Sequence, residues 1–214
     1  MKTALIAGAT GLIGSSLVQY LLESNEYQKV IALVRKPSIT PHPKLDEQLI
    51  DFDDLHNLFL ESKVHDVFCC LGTTIKKAGS QDAFSKVDYT YVLELARWAD
   101  KHECQLLSVV SSVGAKVNTS NFYLRTKGQM EEAISSLTIP TVHLFRPSLL
   151  LGQRNEFRLA EKVSEKVMSV LNPLLNGRLR KYRAIQAHDV ALAMHNQAQN
   201  NVIGIKVFEG AEIK

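Results

Sequence analysis

Tyr123 and Lys127 stand at i and i+4, a spacing that sets a phenol and an ammonium on one face of a helix. Just upstream, the run Val109-Val-Ser-Ser-Val113 ends a β-branched stretch on two hydroxyls, Ser111 and Ser112. Together these groups suit reduction of a carbonyl or oxidation of an alcohol. The tyrosine gives or takes the proton at the substrate oxygen, and a serine polarises and orients that oxygen. A free phenol titrates at about 10 and is a weak base at neutral pH, so the chemistry needs a positive charge beside it. Lys127 supplies that charge and can also bond the hydroxyls of a nicotinamide ribose. Ser112 is taken as the active hydroxyl, with Ser111 as the alternative. A tyrosine and a lysine four apart recur by chance. The serine pair and a glycine turn upstream make the combination specific.

That turn is Gly8-Ala-Thr-Gly11-Leu-Ile-Gly14, directly after an apolar run and at the start of a helical pattern. In this context a glycine triplet cradles a dinucleotide. Gly8 permits a tight turn, Gly11 lets a pyrophosphate approach the backbone, and Gly14 lets the helix pack closely on the sheet. Thr10, Leu12 and Ile13 complete the cradle, and the helix start offers free N–H groups to the phosphates. A dinucleotide site that takes NAD usually carries an acid at the end of its second strand. Here that place holds Arg35, followed by Lys36. A guanidinium grips a 2′-phosphate in a fork, so the cofactor is expected to be NADP(H) rather than NAD(H). Asp53 follows the third strand and reads equally as an acceptor for the adenine amino group or as a helix N-cap. Leu71, Gly72 and Thr73 follow the fourth strand, where the backbone should line the ribose and diphosphate.

The elements that must position these groups alternate. Short apolar runs at residues 5–7, 30–34, 49–51, 67–71, 106–110 and 141–145 read as strands. Helical spacing marks 11–23, 53–62, 80–102 and 122–136. In the long pattern from 80, Phe84, Val87, Tyr91, Leu95 and Trp98 recur at steps of three and four. This order implies an α/β fold, a doubly wound parallel sheet of the Rossmann type with helices on both faces. After Pro147 the rhythm changes to helices at 157–171 and 187–198 and a last strand at 207–209. The chain therefore reads as one domain, 1–214, in which residues 148–214 form a small C-terminal elaboration over the substrate.

Composition excludes other classes. The 214 residues are 45% hydrophobic and 22% charged, as in an ordinary globular domain. A net charge of +3 with no dense basic cluster argues against nucleic acid. No apolar stretch is long enough to span a membrane. The amino terminus reads as a buried strand rather than a leader, which leads to the expectation of a cytoplasmic protein. Cys69, Cys70 and Cys104 have no framework spacing and read as small buried hydrophobes. The seven histidines show no metal-like pairing, so no metal is expected. Asp189, after His188, reads as a helix cap.

The ordered set of glycine triplet, Ser111/Ser112 and Tyr123-x-x-x-Lys127 resembles the short-chain dehydrogenase/reductase superfamily. Arg146-Pro147 after the sixth strand is similar to the segment that its atypical and extended branches place beside the nicotinamide. Ala187-His188-Asp189-Val190-Ala191 is similar to a helix opening in the same branches. Cys69-Cys-Leu-Gly-Thr-Thr74, Ser111-Ser-x-Gly-Ala115 and Ser120-Asn-Phe-Tyr-Leu-x-x-Lys-Gly128 resemble the small Tat-interacting-protein-like NAD(P)H-binding group nearly word for word. The resemblance implies cofactor contacts at Gly8, Gly11, Gly14, Arg35, Gly72, Arg146 and Pro147. It implies Ser112, Tyr123 and Lys127 as the catalytic set, with Tyr123 and Lys127 also touching the cofactor. It also implies a homodimer through the helix that carries Trp98. Two functions follow as expectations. One is an NADP(H)-dependent oxidoreductase acting on a small carbonyl or alcohol. The other is an NADPH-binding regulator or scaffold with a protein partner and little turnover. About 65 residues after the dinucleotide fold leave little room for a large substrate.

Overall fold

The structure, a computed structural model, describes residues 1–37, 40–151, 183–200 and 202–213. Seven strands form one fully parallel sheet in the order β3-β2-β1-β4-β5-β6-β9. They are β1 (Lys2–Ala7), β2 (Tyr27–Val34), β3 (Leu45–Leu49), β4 (Asp66–Cys69), β5 (Leu106–Val110), β6 (Thr141–Arg146) and β9 (Gly204–Glu209). This is the doubly wound α/β fold expected. The central strands are apolar on both faces because helices cover both. Ala4 and Ile6 of β1 pack under α1 (Leu12–Glu23) and α6 (Ala187–Gln197). Leu5 and Ala7 face the layer of α4 (Tyr91–Lys101) and α5 (Phe122–Ser135). Burial on both sides explains why β1, β4 and β5 read as continuous apolar runs. The amino ends of β1, β2 and β4 are tied together by buried Asp66. Its Oδ2 accepts from Tyr27 Oη at 2.7 Å and lies 3.0 Å from Lys2 Nζ.

Several elements differ from the sequence reading. The third strand lies at Leu45–Leu49, before the expected 49–51. It is a polar edge strand, half-exposed, and Asp46 pairs there with Lys29 at 2.8 Å. The helix expected at 53–62 is only a 3-10 turn, Phe52–Asn57, and Asp51 rather than Asp53 is its cap. The long helix expected at 80–102 is broken. A short α2 (Ile75–Ala78) precedes α3 (Gln81–Ser85), and a π-turn, Lys86–Thr90, joins α3 to α4. The extra residue of the π-turn shifts the inward face to Phe84, Asp88, Val92 and Leu95, leaving Val87 and Tyr91 only half-buried. The last strand begins at Gly204 and pairs with β6 as a seventh member of the sheet. Leu150–Leu151 (β7) and Ile185–Gln186 (β8) make a separate two-stranded sheet that the sequence did not signal. The helix expected at 157–171 lies outside the described residues. Asp189 stands in the first turn of α6, whose N-cap is Gln186. Asp189 bonds His188 at 3.0 Å rather than capping the helix.

Candidate active site

Strand order reverses between β2 and β4, on either side of β1. In an open α/β sheet the crevice beyond the carboxyl ends of such strands is where ligands bind. Register brings the sequence-predicted residues to that edge. Ala7 lies opposite Leu33 and Cys69, Cys69 opposite Val109, and Val109 opposite Leu144. The glycine turn, Arg35, the Leu71-Gly72-Thr73 loop, Ser111/Ser112 and Arg146-Pro147 therefore all lead off one edge of the sheet.

The glycine turn has no room for side chains at Gly8 and Gly14. Gly8 has φ +83°, and a Cβ there would stand 2.5 Å from the Cys70 carbonyl. A Cβ on Gly14 would stand 2.1 Å from the Gly8 oxygen, and one on Gly11 3.3 Å from the same atom. Gly14 thus lets α1 close on the turn itself rather than on the sheet at large. Gly11 is the N-cap of α1, with no side-chain cap and no acid in the first turn. The helix start keeps its free N–H groups for an anion. A cradle closed to side chains at Gly8 and Gly14, with an uncapped helix start, fits a dinucleotide pyrophosphate. Arg35 and Lys36 are exposed just past β2, with no carboxylate at that position.

Asp53 is engaged within the chain. Its Oδ1 is 2.7 Å from both Lys86 Nζ and Tyr91 Oη, and its carboxyl is held below the usual range, chiefly by the hydrogen bond from Lys86. The capping role considered for it belongs to Asp51, which accepts from the Asp53 N–H at 3.0 Å.

The reactive groups sit around α5, whose N-cap Asn121 accepts from Leu124 N–H at 3.1 Å. Gly128 lets this helix press on the preceding loop, since a Cβ there would stand 2.4 Å from the Lys116 backbone. Tyr123 is half-buried, its ring 5.5 Å from that of Phe84. Ser112 is half-buried, and among the described residues its hydroxyl makes only a long 3.4 Å bond to the Val113 carbonyl. Ser111 is buried, and its Oγ has no partner among the described residues. Lys127 is 2% exposed. Its Nζ lies 2.8 Å from Asp88 Oδ1 and donates to Val110 O at 3.3 Å. The other Asp88 oxygen accepts from Thr73 N–H at 2.8 Å, in the loop expected to line the ribose.

Sequence reasoning missed Asp88. Its only signal was an acid one helical step from Phe84, and the π-turn hid the face to which it belongs. Arg146 is placed differently from a free cofactor ligand. Its guanidinium donates to Glu131 and to Glu209, each at 2.9 Å, bracing β6 against α5 and β9. Pro147 contributes its carbonyl to Val113 N–H at 3.0 Å. Burial pushes the Cys69 thiol up to about 11 and Cys70 well above the ordinary thiol range, consistent with packing rather than redox chemistry. Among the described residues no cluster could hold a metal ion, and no helix is long and apolar enough to cross a membrane.

The comparisons with known proteins agree with the fold. A model of the NAD dependent epimerase/dehydratase family matches residues 4–204. Protein HTATIP2 of Rattus norvegicus is 35% identical over 175 residues, covering 79% of this chain and 72% of that protein. This bears out the resemblance to the Tat-interacting-protein-like group. Protein FMP52, mitochondrial, of Debaryomyces hansenii is 30% identical over 200 residues, covering 90% of this chain and 86% of its own. Among solved structures, MoeE5 with UDP-glucose and NAD superposes with a TM-score of 0.70 at 18% identity, covering 99% of this chain and 79% of that one. Human epimerase family protein SDR39U1 with NADPH gives 0.64, also at 18% identity, covering 96% and 73%. At such identity these structures speak to the fold.

The expectation of a cytoplasmic protein is corrected by the fungal relatives. Several at 34% identity, among them that of Meyerozyma guilliermondii, are named as mitochondrial proteins, which overturns that expectation. A cellular address is read by receptors and is not set by the pattern of core residues, so reading the first apolar run as a strand was a poor guide to it. With the glycine cradle, the switch point and the family model in agreement, the chain belongs to the NAD-dependent epimerase/dehydratase family.

Proposed function

We propose that this protein is an NADP(H)-dependent oxidoreductase of the short-chain dehydrogenase/reductase type, acting on a small carbonyl or alcohol. One observation carries the reading. The uncapped glycine cradle and the groups Ser112, Tyr123 and Lys127 lie along one carboxyl edge of the sheet. The cradle from Gly8 to Gly14 would hold the pyrophosphate, with Arg35 and Lys36 at the 2′-phosphate and Leu71, Gly72 and Thr73 along the ribose. When bound, the nicotinamide supplies hydride transfer to or from the substrate carbon. Ser112 orients the substrate oxygen, Tyr123 exchanges the proton at that oxygen, and Lys127 holds a ribose hydroxyl and supports the tyrosine. The half-buried Ser112 suits this role better than the buried Ser111. The chain works as one nucleotide-binding unit acting on a small substrate.

Titration with NADPH and NADH tests the cofactor. NADPH binds more tightly, and Arg35→Ala removes the difference; equal affinities in the unchanged protein would refute the assignment. Tyr123→Phe abolishes turnover across a carbonyl panel while NADPH still binds. Turnover that survives this change would remove Tyr123 from the chemistry.

A second reading, an NADPH-binding regulator with a protein partner, is favoured by the Asp88 carboxylate 2.8 Å from Lys127. This carboxylate offsets the positive charge that the phenol needs. A partner captured only in the presence of NADPH, with no turnover on any carbonyl offered, would select this reading.

A further inference from the structure

Asp88 is drawn inward by the π-turn Lys86–Thr90 and is 1% exposed. A carboxylate so far from water persists only when it is paired and hydrogen-bonded. Both its oxygens are used. One faces Lys127 Nζ at 2.8 Å, and the other takes the Thr73 N–H at 2.8 Å. An ammonium has three N–H groups. Asp88 and the Val110 carbonyl take two of those on Lys127, which fixes the direction of the third. The turn that carries Asp88 is itself clamped, because Asp53 bonds its first residue, Lys86, and the residue that follows it, Tyr91. An irregular turn held at both ends, with a satisfied acid at its centre, is a positioning device.

We infer that Asp88 is a positioning residue: its carboxylate locks Lys127 to the Thr73 loop, so that the remaining ammonium N–H receives the nicotinamide-side ribose of the dinucleotide. This inference rests on the NADP(H) reading above. Its effect should appear in the nicotinamide half of the ligand only.

The test compares two ligands on the full chain. NADPH has both halves, whereas adenosine 2′,5′-bisphosphate keeps the adenine and the 2′-phosphate and lacks the nicotinamide riboside. Asp88→Asn should weaken NADPH by roughly tenfold or more, the loss of one charge-assisted hydrogen bond. Its affinity for the bisphosphate should stay unchanged. In a Lys127→Met background the Asp88→Asn change should add no further loss, because Asp88 acts through the lysine. Where Asp88→Asn does not fold, Asp88→Glu keeps the charge, displaces it by one methylene, and should show the same selective loss. Equal weakening of both ligands, or no weakening of NADPH, would overturn the inference. Wild-type protein that binds neither ligand would overturn the NADP(H) reading, and this inference with it.

Discussion

Replacing Gly14 by alanine tests whether the glycine turn is built as the structure shows. The new Cβ would stand 2.1 Å from the Gly8 oxygen, 2.8 Å from its carbon and 3.1 Å from Ala9 Cα. All three are backbone atoms, so no side chain can swing away. Helix α1 must retreat from the turn by about 1 Å to reach an ordinary contact. Overpacking of this kind costs about 1–3 kcal/mol, and rigid backbone obstacles place it at the upper end. Alanine in a helix offsets about 1 kcal/mol of that. The net loss is about 2 kcal/mol, or roughly 4–8 °C in melting temperature for a chain of this size. The same retreat moves the N–H groups of the first helical turn, so nucleotide affinity falls along with stability. Gly11→Ala is the internal control. Its Cβ would meet the same oxygen at 3.3 Å, which a shift of a few tenths of an ångström relieves. Urea unfolding with unchanged slope should rank wild type and Gly11→Ala together and Gly14→Ala well below, while NADPH titration is compared between wild type and Gly14→Ala alone. A Gly14→Ala protein with wild-type stability and affinity would refute the close approach of α1 to the turn.

Three further outcomes are expected. Lys127→Met strands a buried carboxylate and should cost about 3–5 kcal/mol, while the double variant with Asp88→Asn recovers much of it; simple additivity in urea unfolding would deny the coupling. His143 is buried against Phe208, and desolvation lowers its pKa from 6.5 to about 4. The unfolded chain therefore takes up a proton between pH 6.5 and 4 while the native state stays neutral. Stability is full above 6.5 and falls by up to about 3 kcal/mol as the pH drops to 4; thermal melts of His143→Leu should lose much of that slope. Finally, burial that raises Cys69 to about 11 and Cys104 to about 12 should leave both unalkylated by iodoacetamide at pH 8 until urea is added.

Much of the fold was legible because its signals are local. Buried parallel strands announce themselves as apolar runs, and β1, β2, β4, β5 and β6 lie where those runs are. The edge strand β3, with the sequence Leu-Asp-Glu-Gln-Leu, carries no such run, since one edge and much of its surface face water. The two-stranded pairing of β7 and β8 joins short segments far apart in the chain, which no local pattern can signal. At the site, Gly8, Gly11 and Gly14 and the pair Tyr123 and Lys127 could be read from spacing alone. The partners of Asp53 and Arg146 could not, because both are ion pairs to distant elements.

By itself, then, the sequence determined the alternation of strand and helix, the glycine cradle and the helical pairing of phenol with ammonium. Each depends on residues within a few positions of one another. Tertiary structure decided which charges those groups meet. The π-turn rotates Asp88 inward, and β4, β5 and α5 converge so that it meets Thr73 and Lys127, whose ammonium also reaches the Val110 carbonyl. A carboxylate chooses its partner through burial and close approach, and these arise only when segments distant in the chain pack together.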